Sequence, residues 1–131
     1  MIVEWIGSGS AMNYELGNAN FLLSAEESNV LVDISASTAN LLLYRKKLAS
    51  IHHIIVTHAH GDHASSSTIG AVGNTNPADA IKDVRIVAPQ LVYNSLSTAQ
   101  RNLTTVLANN ASTNVLGINV AAVPAYNTNH P

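Results

Sequence analysis

A length of 131 residues sets one compact domain, residues 1–131, as the default and leaves no room for two of ordinary size. With 47% hydrophobic and only 11% charged residues, a solvated disordered chain is excluded. Lys plus Arg total 6 against 8 Asp plus Glu, a net charge of -2, so the basic face that extensive nucleic-acid binding requires is missing.

Taken in chain order, Ile2 to Ile6 is a short apolar run stopped by Gly7-Ser8-Gly9-Ser10, which reads as a strand entering a loop. That loop lacks the Lys and the spacing of a phosphate-binding P-loop, so an ordinary turn is the preferred reading. Asn20 to Ser24 and Val30 to Ile34, separated by a polar stretch, predict a hairpin and with the first run an antiparallel meander. A helix is expected from Ser37 or Thr38 through Leu48, with Leu41, Leu42, Tyr44 and Leu48 on its core face.

His53 to Thr57 is β-branched and almost continuous, as in a strand covered on both faces. His52 and His53, just before it, read as polar residues of a helix-to-strand junction rather than as ligands. A second helix is predicted from His63 toward Ala71, opened by Ser65, Ser66 and Ser67 and closed by the loop Gly73-Asn74-Thr75-Asn76-Pro77. Val84 to Ala88 follows as a buried strand, Tyr93 to Asn109 as one or two helices, and Val115 to Val123 as a last strand. Strands alternating with helices argue for an α/β layered domain.

Cysteine is absent, which removes disulfides, thiolate nucleophiles and Cys-rich zinc sites. The start carries no basic segment followed by an apolar stretch, and no run approaches the ~18 apolar residues of a membrane span. A cytoplasmic protein without membrane contact is the expectation.

The chemistry concentrates in Ile54-Ile55-Val56-Thr57-His58-Ala59-His60-Gly61-Asp62-His63. A buried strand ends, and three imidazoles and one carboxylate follow at the sheet edge where loop side chains converge. Neutral imidazole suits Zn²⁺ and related divalent metals, and carboxylate oxygen is a compatible ligand. His58 and His60 can point the same way from an extended turn. A bend at Gly61 lets Asp62 and His63 aim at a second point, so two adjacent metals are geometrically reasonable.

His58-x-His60-x-Asp62-His63 after an apolar strand resembles the signature of the metallo-β-lactamase superfamily. Val30-Leu31-Val32-Asp33 resembles that family's early strand ending in Asp. Ile6 to Ala11, with Gly17 to Leu23 behind it, is similar to the ribonuclease Z and cyclic-nucleotide phosphodiesterase branch, and Val123-Pro124-Ala125-Tyr126-Asn127 to a group of metal-dependent hydrolases. The resemblance implies an αββα sandwich, of which this chain holds the N-terminal half. It implies that His58, His60 and a third His bind one metal, while Asp62 and His63 bind a second. His130 is the candidate for the third His, because it follows a strand at a distance from His58 similar to that in ribonuclease Z.

Asp33 either orients a metal-binding His from behind or caps the helix near Ser37, and Thr57 supports the ligand geometry from the strand end. The bridging Asp and final His of the family pattern do not occur. A missing C-terminal half is preferred over a reduced single-metal variant, and an uncovered sheet face predicts a homo-oligomer or that missing half as partner.

The expected function is hydrolysis by a metal-activated hydroxide, with two Zn²⁺, or Mn²⁺ or Fe, as cofactors and Asp62 positioning the hydroxide and shuttling its proton. A small or nucleotide phosphodiester is the preferred substrate. Thioester, lactone or β-lactam hydrolysis by the same site, and a non-catalytic metal-binding remnant, are the alternatives.

Overall fold

The computed structural model describes residues 1–9, 17–25, 28–44, 50–64, 69 and 84–124. The alternating apolar runs at the start form β1 (Ile2–Gly7), β2 (Asn20–Ala25) and β3 (Ser28–Val32), an antiparallel meander with Leu22 opposite Leu31 and Leu23 opposite Val30. Gly7 is required where β1 meets the residues before β2: a Cβ there would stand 2.3 Å from the Asn18 carbonyl oxygen.

Helix α1 (Ala36–Tyr44) then carries the chain to β4 (Ile51–Ile55), which pairs in parallel with β3. Strands β5 (Arg85–Ala88) and β6 (Thr104–Val106) extend the parallel half, giving one six-stranded sheet in the order β1-β2-β3-β4-β5-β6.

Each strand divides its side chains between two cores because successive residues face opposite ways. Leu22, Leu31, Ile54 and Ile86 share one core with Leu42 of α1 and with Val92 and Leu96. Val92 belongs to α2 (Gln90–Ser95), and Leu96 ends that helix. Val30 and Val87 face the other way and meet Val115, Ile118 and Val120 of a hairpin formed by β7 (Ser112–Val115) and β8 (Ile118–Ala121). Fully buried side chains such as Leu31 and Ile54 each stabilise the sheet by about 1.5–3 kcal/mol. The strand β4 is thereby held at the centre, and its C-terminal end becomes a rigid platform.

Three expected elements take another form. The stretch Tyr93 to Asn109, expected to be helical, ends as a strand. Leu96 turns extended, Ser97 and Gln100 form a capping box that opens the four-residue α3 (Thr98–Arg101), and β-branched Thr104-Thr105-Val106 then pair beside β5. The stretch Val115 to Val123, expected to be one strand, is instead the return of a hairpin. Leu116 (φ 50) and Gly117 (φ 84) make the two-residue turn, and Asn114 Oδ1 accepts the Gly117 N–H. The central strand starts at Ile51 and stops at Ile55, earlier than His53 to Thr57.

The expected helix tail through Leu48 lies outside the described residues. So does most of the helix expected from His63 toward Ala71, in which Ile69 is helical and buried. Along β1 the sheet leaves apolar side chains exposed, with Val3 at 51% and Trp5 at 61%, and the Trp5 ring packs at a tilt on half-buried Phe21 of β2. No helix among the described residues is long and apolar enough to cross a membrane.

Candidate functional site

The site sits where β3 and β4 end side by side. Parallel pairing brings Asp33, the residue after β3, against Thr57, two residues past β4, and the Asp33 N–H donates to the Ile55 carbonyl at 2.8 Å. Asp33 is buried and holds φ 61, a left-handed conformation that costs a non-glycine residue energy and that Asp tolerates better than most. Its carboxylate collects three donors: the Thr57 N–H on Oδ1 at 2.7 Å, and the Thr57 hydroxyl and His63 Nδ1 on Oδ2, each at 2.8 Å. The helix cap is made elsewhere, because Ser35 Oγ accepts the Thr38 N–H.

The turn from His58 to His63 is closed by backbone bonds, with the N–H groups of His63 and Ala64 both donating to the His60 carbonyl. A bend at Gly61 does not depend on glycine. Its φ is not positive, and a Cβ there would meet nothing within 4 Å. The strained residue of the site is Asp33 instead.

Proton accounting fixes the ring nitrogens. The Thr57 hydroxyl gives its proton to Asp33, so His58 Nδ1–H donates to Thr57 Oγ1 at 2.9 Å, and His58 Nε2 presents a lone pair 3.1 Å from His60 Nδ1. His63 Nδ1–H goes to Asp33, so its Nε2 presents a lone pair 3.2 Å from Asp62 Oδ2. In neutral His63 these two atoms are both acceptors. A cation between them would satisfy both.

Two ligands of one tetrahedral Zn²⁺, each at about 2.0–2.1 Å, lie roughly 3.3–3.4 Å apart, and both donor pairs sit just inside that separation. The donor chemistry and spacing therefore fit divalent metal in two pairs, His58 with His60 and Asp62 with His63. No group of three or more such donors able to hold one ion occurs among the described residues, and His130, the expected third ligand, lies outside them.

Asp33→Asn is expected to keep the left-handed turn but to place an amide where His63 Nδ1 now finds a carboxylate. The ring would then carry its proton on Nε2, the atom facing Asp62. Zn²⁺ affinity measured by competition with a chromophoric chelator should fall about 10- to 100-fold; an unchanged affinity would show that Asp33 does not set the tautomer.

His53 takes no part in the turn. It lies across from Arg85 in the sheet, and its Nδ1 is buried with no hydrogen-bond partner among the described residues. Burial, then the neighbouring charges of His52 and Arg85, lower its pKa below the ordinary 6.5. A lowered folded value means that the unfolded chain binds the proton more readily, so stability is full above about pH 6.5 and falls as pH drops below it. Urea melts at pH 5 and pH 7.5 should show a larger acid loss for the parent than for His53→Phe.

A cavity of about 300 Å³ adjoins Thr57 between the ends of β4, β5 and β8, with Ile55, Val87, Pro89, Leu107, Asn109 and Val120 among its walls. It opens on the same sheet edge as the His turn. Sequence reading has no signal for it, because its walls come from four separate stretches of chain.

A family model described as anti-Pycsar protein Apyc1 matches residues 1–109. No curated protein matches the chain. Among solved structures, the metallo-β-lactamase fold protein YhfI from Bacillus subtilis superposes with TM-score 0.72 at 13% identity, covering 91% of this chain and 50% of that one. A diphosphatase of the PhnP family superposes with TM-score 0.65 at 16% identity, covering 89% and 54%. Human tRNase Z, short form, gives TM-score 0.57 at 22% identity, covering 72% and 38%. The fold is the metallo-β-lactamase fold, of which this chain spans about half or less of the length of those structures.

Proposed function

We propose, from the premise that this chain belongs to the anti-Pycsar protein Apyc1 family, that its His turn is the metal-binding part of a hydrolase acting on a small phosphodiester. The observation that carries the reading is the meeting of His63 Nε2 with Asp62 Oδ2 at 3.2 Å while the ring's other nitrogen is committed to Asp33. A buried carboxylate thus turns two acceptors toward one point, where a cation would satisfy both.

His58 and His60 would hold one ion, and Asp62 and His63 a second. When held there, a divalent ion would lower the pKa of a water toward neutrality and would polarise a phosphoryl oxygen. The chain's own part is to hold the rings and to move a proton. Asp33 and Thr57 keep His63 and His58 in fixed tautomers, and Asp62 Oδ2, partly exposed, accepts the proton of the attacking water.

The choice of a small phosphodiester is supported by two structural neighbours named for acting on phosphate linkages, a tRNase and a diphosphatase. The net charge of -2 disfavours a long polyanion, and a cavity beside Thr57 offers apolar walls to one ring of a nucleotide-like ligand. We assign the exposed apolar side chains of β1 to contact with a further half of the domain or with a second copy.

The test adds Zn²⁺ or Mn²⁺ to the metal-free protein while following melting temperature and hydrolysis of bis(p-nitrophenyl) phosphate. The expected result is a metal-dependent rise in melting temperature of several degrees together with turnover, both reversed by chelator. Stabilisation without turnover would retain the cation site and overturn hydrolysis; neither response would overturn both.

A further inference from the structure

The side chain of Asn20 is fully buried at the start of β2, far in sequence from the His turn, yet it bonds Ser35, two residues after Asp33. Its Oδ1 accepts the Ser35 hydroxyl at 3.1 Å and also the Thr38 hydroxyl, while its Nδ2 donates to the Ala19 carbonyl at 2.9 Å. Ser35 and Thr38 are themselves buried. Beside them Ser37 Oγ donates to Asn18 Oδ1 at 3.1 Å and accepts the Asn18 N–H at 3.3 Å. Two asparagines ahead of β2 and at its first residue thus latch the first turn of α1 onto the sheet.

The latch matters because of what precedes it. Asp33, Ile34 and Ser35 are the only residues between the end of β3 and α1. Asp33 is tied to β4 through the Ile55 carbonyl, the Ile34 N–H donates to the His63 carbonyl at 2.9 Å, and Ser35 is held by Asn20. A left-handed non-glycine residue persists only where its surroundings over-determine it. Here that constraint comes from both sides, the sheet before Asp33 and the Asn20 latch after it.

We infer that Asn20 is a positioning residue for the metal site, acting through Ser35 and Thr38 to hold Asp33 in its left-handed conformation and so to keep the His63 proton on Nδ1 and its Nε2 turned toward Asp62. The inference deepens the metal reading above and rests on it for its functional meaning. The geometry it asserts is readable without metal. Loss of the carboxamide removes the acceptor that the Ser35 and Thr38 hydroxyls share across to β2 and leaves those hydroxyls, 2.9 Å apart, to bond each other, so the first turn of α1 is no longer tied to the sheet through them.

The experiment records imidazole nitrogen spectra of the metal-free protein for the parent, Asn20→Leu, Thr38→Val and, as a control, Ser24→Ala, which removes an equally local hydroxyl bonded to Asn29 in the same sheet. Zn²⁺ affinity is then measured on each. The expected result is a His63 signal of the Nδ1–H form in the parent, a mixed signal in Thr38→Val and Asn20→Leu with Zn²⁺ affinity reduced about 10-fold or more, and no change in Ser24→Ala. Should Asn20→Leu fail to fold, Thr38→Val decides alone.

A folded Thr38→Val with the parent signal overturns the inference, as does an equal change in Ser24→Ala. A parent protein that binds no Zn²⁺ overturns the metal reading and the functional assignment of Asn20 with it, whereas failure of the tautomer result alone leaves the metal reading standing.

Discussion

His60→Ala is expected to reduce metal-dependent hydrolysis to the background rate and to diminish the rise in melting temperature on adding Zn²⁺, the Asp62–His63 pair being left in place. His60 Nδ1 stands 3.1 Å from His58 Nε2, and removing it leaves one imidazole where two are needed to hold an ion. The substitution is well suited to the purpose because His60 is exposed, and the structural work at this position is done by its carbonyl, which accepts the His63 and Ala64 N–H groups and is retained in alanine. Stability without metal should stay within about 0.5 kcal/mol of the parent, as for other surface changes. Urea denaturation in chelator checks that half, and a steady-state assay with bis(p-nitrophenyl) phosphate checks the other. An unchanged rate would remove the His turn from the chemistry.

Asp62→Asn should lower kcat by about 10²- to 10⁴-fold while moving KM far less. The amide preserves shape and one oxygen toward His63, so a metal can still be held there with weakened affinity. It cannot take a proton at neutral pH, and the step assigned to Oδ2 loses its acceptor. Measured at saturating metal, a fall in kcat that excess metal does not restore supports the proton role. A loss confined to metal affinity, fully restored by excess metal, would reduce Asp62 to a ligand only.

The His turn was legible in one dimension because its donors are neighbours in the chain. His58, His60, Asp62 and His63 fall within a single loop, and an apolar run ahead of them is enough to place that loop at the edge of a sheet. The opening meander, the crossover through α1 and the buried β5 were legible for a similar reason, since alternation and helical spacing are local patterns. The strand at Thr104 to Val106 was not, because three β-branched residues after two short helices have no pattern of their own until β5 offers an open edge. The hairpin of β7 and β8 was hidden likewise, its turn made by Leu116 in a conformation that leucine seldom adopts.

By itself the amino-acid order determined that three imidazoles and one carboxylate follow a buried strand within a single turn. Only the tertiary structure decided which nitrogen of each ring is presented. That depends on Asp33 and Thr57, residues 24 apart that meet because β3 and β4 run parallel and end level, and on the Asn20 latch that holds the turn after β3. Tautomers are set by partners in space, and long-range partners are created by strand register, which no local pattern encodes.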